Sequence, residues 1–214
     1  MILPTERYPT QAARWPATGR HILACYDADS IIVYQAYRPA IAAYAVSAKA
    51  FGRDFSYARM SWIKPNFLWM MYRSGWGTKE NQAVVLALRL ARPFFDRLLD
   101  LAVPSTFNPG RYESEADWKS ALASSQVRLQ WDPDHHPRGE PLERRAIQLG
   151  LRGAILEEFG KRELLEVIDM SAFVAEQRAA LAAGGLDALM LPSERVYRPE
   201  SPDIARRLNL DVPG

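Results

Sequence analysis

Cysteine is almost missing from this chain. Only Cys25 stands among 214 residues, so no disulfide can close within it and a reducing compartment is expected. No apolar run approaches the roughly 20 residues that a membrane span needs. Residues 1–6 show neither the charged segment nor the apolar stretch of a signal peptide. These absences lead to the expectation of a cytoplasmic protein with no membrane partner. Net charge is only +2, too little for a general polyanion binder. Neither the glycine fingerprint G-x-G-x-x-G nor the phosphate loop G-x-x-x-x-G-K-[ST] occurs, so the two commonest nucleotide signatures are excluded.

Acidic residues are missing from one conspicuous stretch. Residues 59–76 read Arg-Met-Ser-Trp-Ile-Lys-Pro-Asn-Phe-Leu-Trp-Met-Met-Tyr-Arg-Ser-Gly-Trp, with three tryptophans, three methionines, three cations and no carboxylate. The imbalance extends around it: residues 53–92 hold seven cations and two acids, whereas residues 93–143 hold five cations and nine acids. Such localised charge bears on binding more than on fold. Either the two segments neutralise each other across the molecule, or the first lines an anion site.

Apolar content of 48% and charged content of 24% are ordinary globular values, and the length suits one sizeable core. We expect a single α+β domain over 20–198, an N-terminal arm over 1–19 that carries three prolines and lies on the surface, and a proline-containing tail over 199–214. Residues 21–26 and 31–37 read as a hairpin around the polar turn Asp27-Ala28-Asp29-Ser30. A helix follows Arg38-Pro39 as far as Gly52, and residues 55–63 return to extended chain. Lys64, preceding Pro65, marks a corner.

Pro65 then starts a short helix carrying residues 67–73, with Trp69, Arg73 and Trp76 on one side. Its faces are apolar nearly all round, so it should be buried and bring Arg73 inward. A buried guanidinium needs an anion, because stacking on Trp69 or Trp76 returns only ~0.5–2 kcal/mol. Residues 74–79, with two glycines, two hydroxyls and Lys79, have the composition of a backbone nest for phosphate. Further on, residues 83–90 read as a buried strand, 93–103 and 115–125 as helices, and 127–131 as an alternating strand that Asp132-Pro133-Asp134 stops. Residues 142–159 are ambiguous, since 145–151 could form a strand while 152–160 is helical; 163–169 fit a strand and 171–183 a helix. His135 and His136 lie beside two aspartates, but adjacent histidines chelate poorly and no metal site is expected. With strands and helices alternating irregularly, the sheet should be mixed or antiparallel with flanking helices.

Val33-Tyr34-Gln35-Ala36-Tyr37, the string over 59–76, Trp131-Asp132-Pro133, residues 145–151 and Leu191-Pro192-Ser193-Glu194-Arg195 together resemble the bacterial and fungal family called domain of unknown function 4291. The likeness covers about residues 20 to 198. Family members commonly carry Thr at the position of Ser61, Ser at those of Asn66 and Ala146, a basic residue near Leu23, and Glu-Arg in place of Asp134-His135. The departure at Ala146 argues against a serine nucleophile there. At the level of fold, a strand ending in Tyr-Gln-Ala-Tyr, a helix, and the segment Pro65 to Tyr72 look like the first half of the ADP-ribosyltransferase fold. That resemblance implies NAD as cofactor and sets Gln35 and Gln148 where the fold has a His or Arg and a Glu. A glutamine cannot be a general base.

Three readings of the cations stay open. In the first, the protein is an enzyme acting on a nucleotide or another phosphorylated substrate, a divergent ADP-ribosyltransferase-like transferase being one form. Arg59, Lys64, Arg73, Lys79 and Arg145 would hold the anion, at ~1.5–3 kcal/mol for each charge-assisted bond. Trp62, Trp69, Trp76 or Tyr34 would stack a base, at ~1–3 kcal/mol each. Gln35 and Gln148 would orient the ligand, and Tyr34 or Tyr72 would carry a proton. In the second, the same groups bind single-stranded nucleic acid or a small anion without turnover. In the third, Asp132, Glu166 or Asp169 folds back onto Arg59 and Arg73, and the tryptophans are simply core.

Overall fold

The computed structural model describes residues 3–211. In chain order these form β1 (Thr5–Arg7), α1 (Tyr8–Ala12), β2 (Ile22–Ala24), β3 (Ser30–Tyr37), α2 (Pro39–Ala48), β4 (Ser61–Ile63), α3 (Phe67–Ser74), β5 (Val84–Ala91), α4 (Arg92–Leu101) and β6 (Val103–Pro104). The chain continues through α5 (Glu115–Ser124), β7 (Val127–His135), β8 (Pro141–Leu151), α6 (Gly153–Lys161), β9 (Glu166–Asp169), α7 (Ser171–Ala182), β10 (Met190–Pro192), β11 (Arg195–Tyr197) and α8 (Pro202–Arg207). The fold is α+β, as the irregular alternation of elements implies. No helix among the described residues is long and apolar enough to cross a membrane.

The sheets are small, and each strand's composition follows from its neighbours. β5 lies between β3 and β9 in a three-stranded antiparallel sheet. Its near-continuous apolar run reflects burial on both faces. Leu86, Leu88 and Leu90 join Ile31 and Val33 of β3 in one core, whereas Val85 and Ala87 join Ile32 and Tyr34 in a second. Phe94, Phe95, Leu98 and Leu99 of α4 fill the first core, and Phe67, Leu68, Met70 and Met71 of α3 fill the second.

A four-stranded sheet in the order β4-β8-β7-β6 closes the first core from the other side. Alternation sets its two faces. Val127, Leu129, Ile147, Leu149, Leu151 and Ile63 point into the core. The register pairs Gln130 with Gln148 and Trp62 with Gly150, so these residues share the opposite face. The two larger sheets meet at one backbone pair: the Tyr34 N–H donates to the Lys64 carbonyl at 2.7 Å, and the Lys64 N–H to the Tyr34 carbonyl at 3.2 Å.

Several sequence expectations are corrected. The polar turn at 27–30 forms, with the Asp27 carboxylate accepting from the Asp29 and Ser30 amides. Its flanks are nevertheless joined only by the Tyr26–Ile31 bridge, because β2 ladders with β11 and β3 with β5. β7 runs through Asp132-Pro133-Asp134 to His135 with a shift of register after Pro133. β6 covers β7 only as far as Leu129, so beyond that point β7 is an edge where a missing N–H costs little. Between α2 and β4 the chain turns rather than extends, with only Ser61–Ile63 in a strand. Residues 3–19 do more than lie on the surface. β1 pairs with β10, Gln11 and Trp15 are buried, and Arg144, ion-paired to Asp134 at 2.6 Å, donates to the Pro16 carbonyl. The tail likewise contributes α8, whose Ile204 joins the first core.

Gly150 shows how closely the outer face of the four-stranded sheet is covered. A Cβ added there would lie 2.6 Å from Met60 Sδ and 3.0 Å from the Trp62 ring. Gly150→Ala is therefore expected to lower unfolding free energy by about 1–3 kcal/mol, the usual range for overpacking. Urea denaturation measures this, and an unchanged midpoint would show that Met60 and Trp62 are free to move aside.

Candidate functional site

On that outer face, polar residues that alternation removes from the core converge on a cleft of about 430 Å³. Its lining includes Trp62 of β4 and Lys64 just after it, Gln130 and Gln148 from β7 and β8, Gln35 and Tyr37 from the end of β3, and Met70 and Arg73 from α3. The size falls within the usual range for small-molecule pockets.

Local sequence explains how Lys64 comes to be there. Its backbone is held by the pair with Tyr34, and Pro65 prevents the strand from continuing. Asn66 then caps α3, its side-chain oxygen accepting from the Trp69 amide at 2.6 Å. Pro65 thus precedes the helix rather than starting it. The cap is itself held by Glu194, which accepts from the Phe67 amide at 2.7 Å and from the Asn66 side-chain amide at 3.1 Å. Glu194 is only 3% exposed, and burial raises its pKa well above the ordinary carboxylate value.

Lys64 is 4% exposed. Burial first, then the neighbouring charge of Arg73, lower its pKa from 10.5 to about 8, with Asp132 acting in the opposite direction. No described residue forms an ion pair or hydrogen bond with its ammonium group. The internal carboxylates that the sequence offered are engaged elsewhere. Asp132 accepts from Gln130 Nε2 at 2.7 Å and from Gln148 Nε2 at 2.6 Å. Glu166 pairs with Arg89 at 3.0 Å, and Asp169 accepts from the Ser171 amide.

Gln35 also lines the cleft, its side-chain amide bonded into the wall. Its Nε2 donates to Ser61 Oγ at 2.7 Å and to the Trp62 carbonyl at 3.2 Å. A carbonyl can only accept, so this contact assigns the amide orientation and leaves Oε1 on the other side. Oε1 is buried with no partner, and the whole residue is 3% exposed. A buried acceptor left this way is costly unless a ligand donates to it. Tyr37 Oη lies 3.0 Å from Ser61 Oγ and extends the hydroxyl network.

The structure therefore brings together Gln35, Trp62, Lys64, Arg73 and Gln148 of the residues expected from sequence. The others lie elsewhere. Arg73 itself is exposed at the cleft rather than carried inside, because α3 buries residues 67–71 and Ser74 and turns Tyr72 and Arg73 outward. Tyr34 is fully buried in the second core, its hydroxyl unpartnered and pushed well above 10 by burial, so it is no proton carrier for the cleft. Trp69 and Tyr72 stack with His135 outside the lining, at centroid distances of 5.2 and 3.5 Å. Trp76 donates to the Pro137 carbonyl. Lys79 donates to the Arg73 carbonyl at 3.0 Å and lies over the Tyr72 ring, so the loop after α3 satisfies the helix C-terminus instead of cradling phosphate. Arg59 is exposed outside the lining.

Arg145 lines a different cleft of about 510 Å³ together with Arg20 and Arg207. That cleft is larger, but Arg20 and Arg145 are exposed and Arg207 already pairs with Asp100. The smaller cleft is the candidate because it holds a buried cation and a buried acceptor, both lacking partners among the described residues. Sequence reasoning missed Gln130, Ser61, Tyr37 and Met70 in its wall. The alternation of residues 127–131 was the one available signal, since it placed Gln130 opposite Leu129.

The family model described as Domain of unknown function (DUF4291) matches residues 21–197. The chain belongs to that family. The matched span takes in the whole string over 59–76, β7, β8 and Glu194, so every residue that lines the candidate cleft lies within the DUF4291 region. No curated protein matches the chain.

Two consequences are measurable. Because the folded pKa of Lys64 lies below its unfolded value, the unfolded chain binds more protons between about pH 8 and 10.5, and stability rises with pH across that window. At about 1.4 kcal/mol per pH unit, the buried charge costs about 3 kcal/mol at neutral pH. Lys64→Met is expected to stabilise the ligand-free protein by up to that amount below pH 8, with the gain vanishing by pH 10.5. Urea titrations across pH read it directly, and a destabilised variant would mean that the ammonium is paired. Glu194→Ala removes two buried bonds to the α3 cap and leaves a cavity. It should cost about 2–4 kcal/mol in the same assay.

Proposed function

We propose that this protein is an enzyme that binds a small phosphorylated molecule in the Lys64–Arg73 cleft and acts on it. The observation that carries this reading is the pairing of two cations at one cleft with no carboxylate bonded to either among the described residues. Two like charges beside each other raise each other's energy, and a phosphate placed between them removes that cost. Each charge-assisted bond contributes about 1.5–3 kcal/mol. Trp62 offers a ring face, and Gln35 and Gln148 line the same cleft with polar side chains, which together favour a nucleotide or sugar phosphate.

Turnover, rather than binding alone, is supported by Lys64. An amine near pKa 8 exchanges its proton close to neutral pH, as a catalytic acid or base must. Transfer from a dinucleotide such as NAD, in the manner of ADP-ribosyltransferases, is one form this chemistry takes. Gln35 and Gln148 then act as orienting amides. A binding module for single-stranded nucleic acid is the alternative, and the low net charge disfavours it.

A thermal-shift series with pyrophosphate, mononucleotides, sugar phosphates and NAD tests the site. Wild type is expected to be stabilised by at least one of them, and Arg73→Ala and Lys64→Ala to lose that shift while keeping a native circular-dichroism spectrum. Mass spectrometry of the stabilising ligand after incubation then separates enzyme from binder. An unchanged ligand favours the binder, and no shift with any phosphate compound removes both readings.

A further inference from the structure

Lys64 differs from the other four lysines in more than its place in the cleft. Lys49, Lys79, Lys119 and Lys161 are exposed, and the last two pair with Glu115 and Glu157. Lys64 alone is buried, its backbone locked by the exchange with Tyr34 and its side chain facing a cleft without an ion-pair partner among the described residues. The charged groups that face it are Arg73 on α3 and Asp132 on β7. Asp132 is held by two glutamine amides, so it does not reach over to form a tight ion pair. Desolvation beside a second cation is the environment that turns a lysine into a nucleophile.

From this geometry we infer that Lys64 forms a covalent imine with the carbonyl carbon of a phosphorylated sugar aldehyde or ketone. This rests on the anion-binding reading of the same cleft. Arg73 holds the phosphate, and the side chains of Gln35 and Gln148 line the same cleft beside the sugar. The neutral amine attacks the carbonyl carbon. A C–N bond forms as the C=O π bond opens, and the nitrogen passes a proton to the oxygen. The carbinolamine then loses that oxygen as water, taking one further proton, to leave a protonated imine. No oxidant, reductant or second substrate is needed. The cation so formed is an electron sink for breaking a bond one carbon away, so the reactions open to the site are those that cleave, isomerise or transfer beside a carbonyl.

The test treats the wild-type protein with ribose 5-phosphate and cyanoborohydride and maps the reduced adduct by peptide mass spectrometry. With its pKa at about 8 instead of 10.5, Lys64 carries free amine at pH 7 roughly 300-fold more often than an exposed lysine. Lower intrinsic nucleophilicity offsets part of that. The adduct is expected at Lys64 at least about tenfold faster than at any other lysine, with its rate half-maximal near pH 8. Ribose without phosphate should label Lys64 more slowly, and Arg73→Ala should remove that difference. Lys64→Arg should abolish the fast adduct while pyrophosphate still raises the melting temperature. Even labelling across the five lysines, in a protein that pyrophosphate stabilises, overturns the nucleophile and leaves the proposed anion site standing. Fast labelling of Lys64 by both sugars alike, with no stabilisation by any phosphate, overturns the anion site and keeps the reactive amine.

Discussion

A single pair of backbone hydrogen bonds, exchanged between Tyr34 and Lys64, joins the two main sheets and places an ammonium group in the interior. The rest of the cleft depends on that constraint. A lysine free to move would swing its amine into water and recover its solvation, since its stem is long and flexible. With its main chain pinned to β3 on one side and followed by Pro65 on the other, Lys64 instead stays 4% exposed. The cost is carried by the remainder of the fold, where two cores on either side of β3 and β5 bury the large apolar groups.

The second constraint is the anchoring of α3. Glu194, far along the chain, accepts from the first turn of this helix, and Asn66 caps it from within. Together they fix the angle at which α3 leaves the corner, and therefore where Arg73 and Met70 meet the sheet. Gln11 accepts from the Glu194 amide at 2.7 Å, and Trp15 donates to its carbonyl at 2.9 Å. The first residues of the chain thus brace the wall of the cleft from behind. Stability is withheld at the cleft itself, where a cation and an acceptor lack partners among the described residues. This is the pattern of a site whose local cost is offset by ligand.

Much of this was legible beforehand, for identifiable reasons. The alternation of residues 127–131 marked a strand, and the register of β7 with β8 then sets Gln130 and Gln148 together on the face away from the core. The excess of positive charge around 59–76 pointed to the stretch that does contribute Trp62, Lys64 and Arg73 to one cleft. Other expectations misjudged distance. Trp69 and Trp76 share the string with Lys64, yet they pack on His135 and Pro137, because α3 carries them to the far end of β7 and not to the cleft. Arg145 shares the strand face of Ile147 and Leu149, opposite that of Gln148, and so lines a different cleft.

Sequence alone determined the α+β class, the corner at Lys64-Pro65, the helix after it and the absence of a neighbouring acid within the string, because each rests on local periodicity, backbone sterics or composition. Tertiary structure decided which cation is buried and which is exposed. The string carries Arg59, Lys64 and Arg73 alike, and nothing in their spacing singles one out. Burial of Lys64 alone follows from contacts with β3 and β8, which lie up to about 85 residues away in the chain. Tertiary structure also decided that the anion is not a carboxylate already bonded to Lys64. Asp132 is the charge of opposite sign that faces Lys64, and among the described residues it bonds Gln130 and Gln148, brought beside it by strand register, and forms no ion pair with the ammonium group.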